Sequence, residues 1–149
     1  LPTRLSRLSP EKRGEADALV AAWKDGTITD RQYAAFGTLM DEADIYCPTG
    51  ERDESDPVPC DGSAYAGVWE EADAMRRSGE LLSRASAIRC PVVAVHGDYD
   101  PHPYEGVETP LSRVLKDFRF ILLEKCGHEP WMEQYARDAF FKILWDEII

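Results

Sequence analysis

The sequence has no long apolar run, few basic residues and no signal-peptide pattern. None of its apolar stretches approaches the roughly 18 to 20 residues that a membrane-spanning helix needs, and the N-terminus lacks the basic, apolar and small-residue regions of a secretory signal. Only 17 Lys and Arg stand against 28 Asp and Glu, and the formal net charge of -11 opposes binding to nucleic-acid phosphates and anionic membranes. We therefore expect a soluble, cytoplasmic protein that binds neither nucleic acid nor membrane.

Cysteine is present without the spacing of a metal site. The four cysteines form no C-x-x-C pair and have no histidine partner at zinc-finger spacing, so we expect no metal and no cofactor. Cys90 and Cys126 border apolar segments and are expected to be buried and reduced. Cys47 and Cys60 flank a polar loop, and whether they form a disulfide stays open.

The initiator methionine is also missing, since the chain opens on Leu1, Pro2 and Thr3. We therefore expect a piece of a longer polypeptide. Its 149 residues, 44% of them apolar, are enough for one domain of ordinary size with a core of its own.

The first part of the chain predicts a helical hairpin. Ser9 and Pro10 are typical of the first residues of a helix, and the amphipathic stretch that follows ends near Gly26. Thr29 with Gln32 three residues later is a capping-box signal for a second helix.

A loop and two shorter helices are expected next. Residues 47–63 are rich in Pro, Gly, Asp and Glu and predict an acidic loop. Residues 64–87 regain apolar residues at helical spacing and predict two helices that are separated at Gly79.

The last part of the chain predicts a strand, helix, strand unit followed by a helix. Residues 91–95 and 118–123 are apolar runs typical of strands covered on both faces, and residues 106–116 suit a crossover helix, which implies parallel pairing. Residues 132–148 predict the closing helix. Because two strands are too few for a stable sheet, we expect further strands from outside this chain.

Polar turns follow both predicted strands. Asp98 and Asp100 come after the first strand and His128 after the second. The carboxyl ends of parallel strands lie on one edge of a sheet, about 4.8 Å apart, so a carboxylate and an imidazole from these turns can meet. Asp100 and His128 fit an acid that fixes the imidazole tautomer and a general base. The alternative is that the aspartates only shape the turns.

The other two histidines have simpler interpretations. His96 ends a predicted strand and is expected to be a packed, structural histidine. His102 lies between two prolines in an exposed turn and is expected to be solvated.

Two short motifs stand on the two turns, G-x-x-D-x-x-P and G-H, at Gly97, Asp100, Pro103, Gly127 and His128. With the strands and helices around these motifs, residues 88–144 resemble the last part of the α/β-hydrolase family, and the helices before them loosely resemble its cap. The resemblance implies an α/β fold in which residues 1–87 form a helical cap with the acidic loop and residues 88–149 form the C-terminal part of the hydrolase core.

In that family an aspartate and a histidine on these turns complete a serine triad in the chain order Ser, Asp, His. The resemblance implies that Asp100 is the acid, with Asp98 as the fallback, and that His128 is the base. Asp100 matches better because it stands three residues after the glycine and three before the proline.

The nucleophile of the family is absent. G-x-S-x-G occurs nowhere, and Ser63 has Asp61 and Tyr65 where the motif requires glycines. The loop that supplies the oxyanion hole is missing as well. We expect this chain alone to be inactive as a hydrolase.

The cap and the turn from Cys126 to Trp131 look most like those of proline iminopeptidase relatives, which implies an ester or N-terminal peptide bond of a small molecule or short peptide as the substrate. Trp131, Trp69 and Tyr33 are candidate substrate-binding residues; the alternatives are that Trp131 anchors the last helix and that the cap aromatics form the hairpin core. The acidic residues 51–61 could attract a free amino terminus or be a solvated surface.

Two functions follow. The first is a serine hydrolase fragment whose nucleophile comes from a missing N-terminal core segment or from a second chain. The second is a degenerate, non-catalytic domain or assembly module whose exposed sheet edge binds a partner chain, a homodimer included.

Overall fold

The computed structural model describes residues 1–50 and 61–148. Helices α1 to α5 are Pro2–Arg7, Pro10–Lys24, Asp30–Asp44, Gly62–Ser78 and Glu80–Ala85. Strands β1 (Val92–Gly97) and β2 (Phe118–Leu123) flank helix α6 (Glu105–Val114), and a 3₁₀ turn (Pro130–Met132) precedes helix α7 (Arg137–Ile148). The chain is therefore of the mixed α/β class, as predicted.

Local capping sets the ends of the first long helices. Ser9 Oγ accepts a hydrogen bond from the Lys12 N–H, and Thr29 and Gln32 form the predicted capping box reciprocally. The hairpin of α2 and α3 is confirmed, and α1, which the sequence did not reveal, packs against it. The buried apolar residues of this cluster are Leu8, Ala16, Leu19, Phe36, Leu39, Met40 and Ala43.

The break at Gly79 is also confirmed. Gly79 ends α4 with a φ of 76°, a left-handed conformation that glycine adopts without steric cost. Helix α4 begins at Gly62 rather than at residue 64, because the Asp61 carboxylate caps it by accepting hydrogen bonds from the N–H groups of Ser63 and Ala64. The rest of the predicted acidic loop, residues 51–60 with Cys60, lies outside the described residues.

Strands β1 and β2 pair in parallel, as predicted, in a register that runs from Val92 opposite Phe118 to Gly97 opposite Leu123. They form a two-stranded sheet, and most of their residues are only partly buried. Within the part of the chain that the structure describes their cover is incomplete, since Leu122 is 40% exposed. Cover on both faces by further strands from outside this chain stays a prediction. The predicted crossover helix is confirmed as α6.

Two smaller predictions need correction. The closing helix begins at Arg137 rather than at residue 132, because the 3₁₀ turn and an extended Glu133 come first. Cys126 is buried as expected, but Cys90 is exposed because it lies in the exposed segment of residues 86–91 that precedes β1. The division into a cap of residues 1–87 and a core of residues 88–149 stays a prediction.

None of the helices within residues 1–50 and 61–148 combines the length and the hydropathy that crossing a bilayer requires.

Candidate active site

The two polar turns leave the sheet side by side. Because Gly97 and Leu123 are in register, the N–H of Asp98 donates to the carbonyl of Leu123 at 2.9 Å and the N–H of Tyr99 donates to that of Cys126 at 2.8 Å. A Cβ on Gly97 would overlap the Cys126 carbonyl, so only glycine permits this approach. The turns are thus fixed to each other by backbone contacts.

Asp100 and His128 meet across these turns. His128 Nδ1 lies 2.7 Å from Asp100 Oδ2, which is the distance of a charge-assisted hydrogen bond in which the ring N–H donates to the carboxylate. The Asp100 side chain is only 6% exposed, whereas that of His128 is 53% exposed. A buried carboxylate therefore holds an accessible imidazole in the tautomer whose Nε2 is left as a base.

The charges of the pair favour an ionised acid and a stronger base. Burial raises the pKa of Asp100, but hydrogen bonds from His128 and from the backbone and side chain of His102 outweigh it and hold the pKa well below its usual range. The hydrogen bond to Asp100 raises the pKa of His128 against the opposing effect of burial. This is the electrostatic arrangement that a histidine general base requires.

The two aspartates of the first turn have different partners. Asp98 Oδ1 accepts the backbone N–H of Cys126 at 3.2 Å and so ties the first turn to the second. Asp100 contacts the imidazole itself. The geometry thus favours Asp100 over Asp98 as the acid, while the catalytic role of either stays a prediction.

His102 lies in the same network, which the sequence did not indicate. Its backbone N–H and its ring Nδ1 both lie 2.8 Å from Asp100 Oδ1, so two imidazoles share one carboxylate. The prediction of a merely solvated side chain is wrong in this respect, although the ring is half exposed. His96 Nδ1 lies 2.9 Å from the Gly97 carbonyl oxygen, and its Nε2 is 3.7 Å from Asp100 Oδ2.

The Glu133 side chain holds the turn that carries His128, and the sequence did not predict this role. Its fully buried carboxylate accepts backbone N–H groups of Gly127 at 2.6 Å, Tyr46 at 2.7 Å and Cys47 at 2.8 Å. The segment after α3 is thereby joined to the residue that precedes His128. In the sequence Glu133 looked like a polar position of the last helix, and no local signal marks it as buried.

The end of α3 completes this support. The backbone N–H of His128 donates to the Asp44 carbonyl at 2.9 Å, and a Cβ on Gly127 would overlap the same oxygen. The buried Asp44 carboxylate accepts hydrogen bonds from Arg4 Nε and a terminal guanidinium nitrogen at 2.6 and 2.5 Å. This bidentate contact raises the pKa of Arg4 and anchors α1 beside the site.

The predicted aromatic residues separate into two places. The ring centroid of Tyr65 lies 5.6 Å from that of Tyr33 and 5.9 Å from that of Trp69, on helices α3 and α4. Trp131 packs on Phe140 of α7 with ring centroids 5.9 Å apart, which matches the anchoring alternative. A role of these residues in substrate binding stays a prediction.

Comparison of the chain with protein-family models, with curated proteins and with solved structures found no significant match. Inference about the site therefore rests on its own geometry. Within residues 1–50 and 61–148, no serine hydroxyl forms a hydrogen bond with the His128 ring. The arrangement holds an acid and a base whose nucleophile would have to come from elsewhere.

Proposed function

We propose that this chain supplies the acid and the base of a serine hydrolase with an α/β-hydrolase fold, and that the nucleophile lies on polypeptide outside residues 1–149. The observation that carries the proposal is the buried Asp100 carboxylate hydrogen-bonded to the accessible His128 imidazole at 2.7 Å. The pair stands where parallel strands end, which is where α/β enzymes place their chemistry.

In the proposed reaction, His128 Nε2 takes the proton of a serine hydroxyl as that oxygen attacks an ester or amide carbonyl. Asp100 stabilises the imidazolium that forms, and His128 then returns the proton to the leaving alcohol or amine. Water repeats the sequence to release the acid. The substrate class is an ester or an N-terminal peptide bond of a small molecule or short peptide.

The incomplete sheet supports a missing core segment. Strand β1 contributes Val92, Val93, Ala94 and Val95, which are apolar residues suited to a central strand, yet they are only partly buried here. A neighbouring strand beside β1 and helices above it would bury them. The same polypeptide would bring the nucleophile to the site.

A non-catalytic assembly module is the second candidate, and exposed apolar residues favour it. Phe141, Trp145 and Ile148 of α7 are 47, 66 and 77% exposed and line a shallow depression with Leu144. Apolar exposure of this size often marks a protein interface. Both candidate functions require contact with further polypeptide, but only the hydrolase requires a catalytic reaction.

The test is to purify the chain from its natural source and to measure intact masses under denaturing conditions. We expect a serine in a G-x-S-x-G motif that a fluorophosphonate labels in the native material, either on a second polypeptide or on a single chain heavier than 16.8 kDa. A partner chain without a labelled serine would support the assembly module, and the absence of any labelled serine would overturn the hydrolase proposal.

Variants of the complex test the roles directly. His128→Ala should lower kcat on the order of 10⁵-fold or more, and Asp100→Asn should lower it about 10⁴-fold because the tautomer is no longer fixed. Glu124→Gln, an exposed residue in the same turn as His128, is the matched control and should leave the rate unchanged. Activity that survives in His128→Ala would remove His128 from the mechanism.

A further inference from the structure

His102 gives the site a second property. Asp100, His102 and His128 each offer a ligand atom, and these atoms lie within 4.8 Å of one another. The Asp100 carboxylate stands between the imidazoles, with Oδ1 2.8 Å from His102 Nδ1 and Oδ2 2.7 Å from His128 Nδ1. The ring centroids are 5.3 Å apart. Two nitrogen donors and one oxygen donor therefore lie close enough together to be brought around one ion.

We propose that these three side chains bind one Zn²⁺ ion. Two imidazoles and a carboxylate are a donor set that zinc accepts, whereas Mg²⁺ and Ca²⁺ prefer oxygen ligands alone. Zinc bonds of about 2.0 to 2.2 Å place tetrahedral ligand atoms roughly 3.4 Å apart. Since both imidazoles are 53% exposed, their rings can turn to reach this spacing, which is longer than the present Nδ1–carboxylate distances and shorter than the 4.8 Å limit of the cluster.

The surroundings favour a cation at this point. Asp100 Oδ1 is oriented by the His102 backbone N–H, the kind of supporting hydrogen bond that fixes metal-ligating carboxylates. Pro101 and Pro103 restrict the backbone on both sides of His102. The net charge of -11 adds a general attraction for cations.

Protons must rearrange when the metal binds. Each neutral imidazole that now donates its Nδ1–H to Asp100 moves that proton to Nε2 through solvent, which leaves the Nδ1 lone pair for zinc. An imidazolium instead releases one proton to buffer. The bound ion keeps a charge of +1 with one carboxylate, and water completes its fourth position.

Zinc and general-base chemistry exclude each other at His128. A zinc-bound imidazole with a proton on Nε2 has no lone pair for a serine proton, so zinc is expected to inhibit the complete enzyme reversibly. This consequence rests on the proposed function, whereas metal binding by the chain does not.

The test is calorimetric titration of the metal-free 149-residue chain with Zn²⁺. We expect saturable binding of one equivalent, weakened about tenfold or more in His102→Ala and in His128→Ala. Glu124→Gln and Cys90→Ser are matched controls that should bind as the unmodified chain does, since both residues are exposed and neither belongs to the three-ligand cluster. Circular dichroism checks that each variant is folded.

Two spectroscopic readouts make the result independent of any variant that fails to fold. Zinc should shift the ring-proton resonances of His102 and His128 of the unmodified chain more than those of His96, which is not one of the three ligands. Bound Co²⁺ should show visible d–d bands without a thiolate charge-transfer band. Absence of saturable binding, unchanged affinity in both histidine variants, or a thiolate band would overturn the proposal. None of these measurements needs the nucleophile, so loss of the hydrolase proposal would leave a positive zinc result intact.

Discussion

His128 Nδ1 lies 2.7 Å from Asp100 Oδ2, and the carboxylate is buried while the imidazole is half exposed. This contact joins turns that are 28 residues apart in the chain, and it combines a fixed ring orientation with an accessible second nitrogen. Its strength can be measured in the chain itself, without a substrate.

Asp100→Asn should lower the pKa of His128 from its raised value, because the hydrogen bond to Asp100 is the largest cause that raises it and burial lowers it. The pH dependence of the His128 ring-proton resonances measures the change. Asp98→Asn is the matched control: the new amide oxygen can still accept the Cys126 N–H, so the His128 pKa should stay raised. If Asp98→Asn gave the larger fall, Asp98 would be the acid.

The same pair predicts how stability depends on pH. The folded-state pKa of His128 is raised above its ordinary 6.5, so its contribution is complete below that pH and is lost as pH rises through the folded-state pKa. Urea unfolding measures the free energy of unfolding of the unmodified chain and of His128→Ala. The difference between the two values should become smaller as the pH rises from about 6 to about 9. A difference that stays constant or widens would contradict the raised pKa.

For Asp100 the sign is opposite. Its folded-state pKa is lowered below the ordinary 3.8, so its ion stabilises the fold above that pH and the contribution is lost as pH falls through the folded-state pKa. The free energies of unfolding of the unmodified chain and of Asp100→Asn should approach each other as the pH falls below about 4. Curves that stay parallel in this range would show that Asp100 is not perturbed.

Glu133→Ala should destabilise the chain by about 2 to 4 kcal/mol, since it leaves one buried and two partly buried N–H groups without an acceptor and a buried one costs roughly 1 to 3 kcal/mol. Glu133→Gln should lose less, because one oxygen can still accept from Tyr46 and Gly127 while the amide faces the Cys47 N–H. Urea unfolding measures both variants. The exposed Glu124→Gln should change stability by less than about 0.5 kcal/mol, and a Glu133→Ala effect of that size would refute a supporting role.

Gly127→Ala should destabilise the fold by about 3 kcal/mol, because the added Cβ overlaps the Asp44 carbonyl and approaches Glu133. Gly14→Ala offers the matched control. Gly14 lies inside α2 with open space around it, so the same added methyl should stabilise the helix by about 0.5 to 1 kcal/mol. Equal effects at both positions would mean that the contact with Asp44 is not rigid.

The sequence predicted those features that short segments determine. The caps at Ser9 and Thr29, the break at Gly79 and the parallel strands all depend on neighbouring residues or on apolar runs. The approach of Asp100 to His128 followed from the placement of both residues at strand ends.

Features that depend on distant contacts could not be predicted in the same way. Glu133 has the composition of a helix surface, and only its three partners from other segments explain its burial. His102 joins the network because the turn folds back on Asp100. Helix α1 is short, and its docking depends on the Arg4 contact with Asp44, 40 residues away.

The Glu133 carboxylate also determines how this region opens. The backbone N–H groups of Tyr46, Cys47 and Gly127 all donate to this one carboxylate. A movement that takes the Glu133 side chain away therefore breaks all three hydrogen bonds. The three amide protons should therefore exchange with solvent through one common opening and show similar protection. The turn that carries His128 is thus held in its native position only while the end of α3 is docked against it.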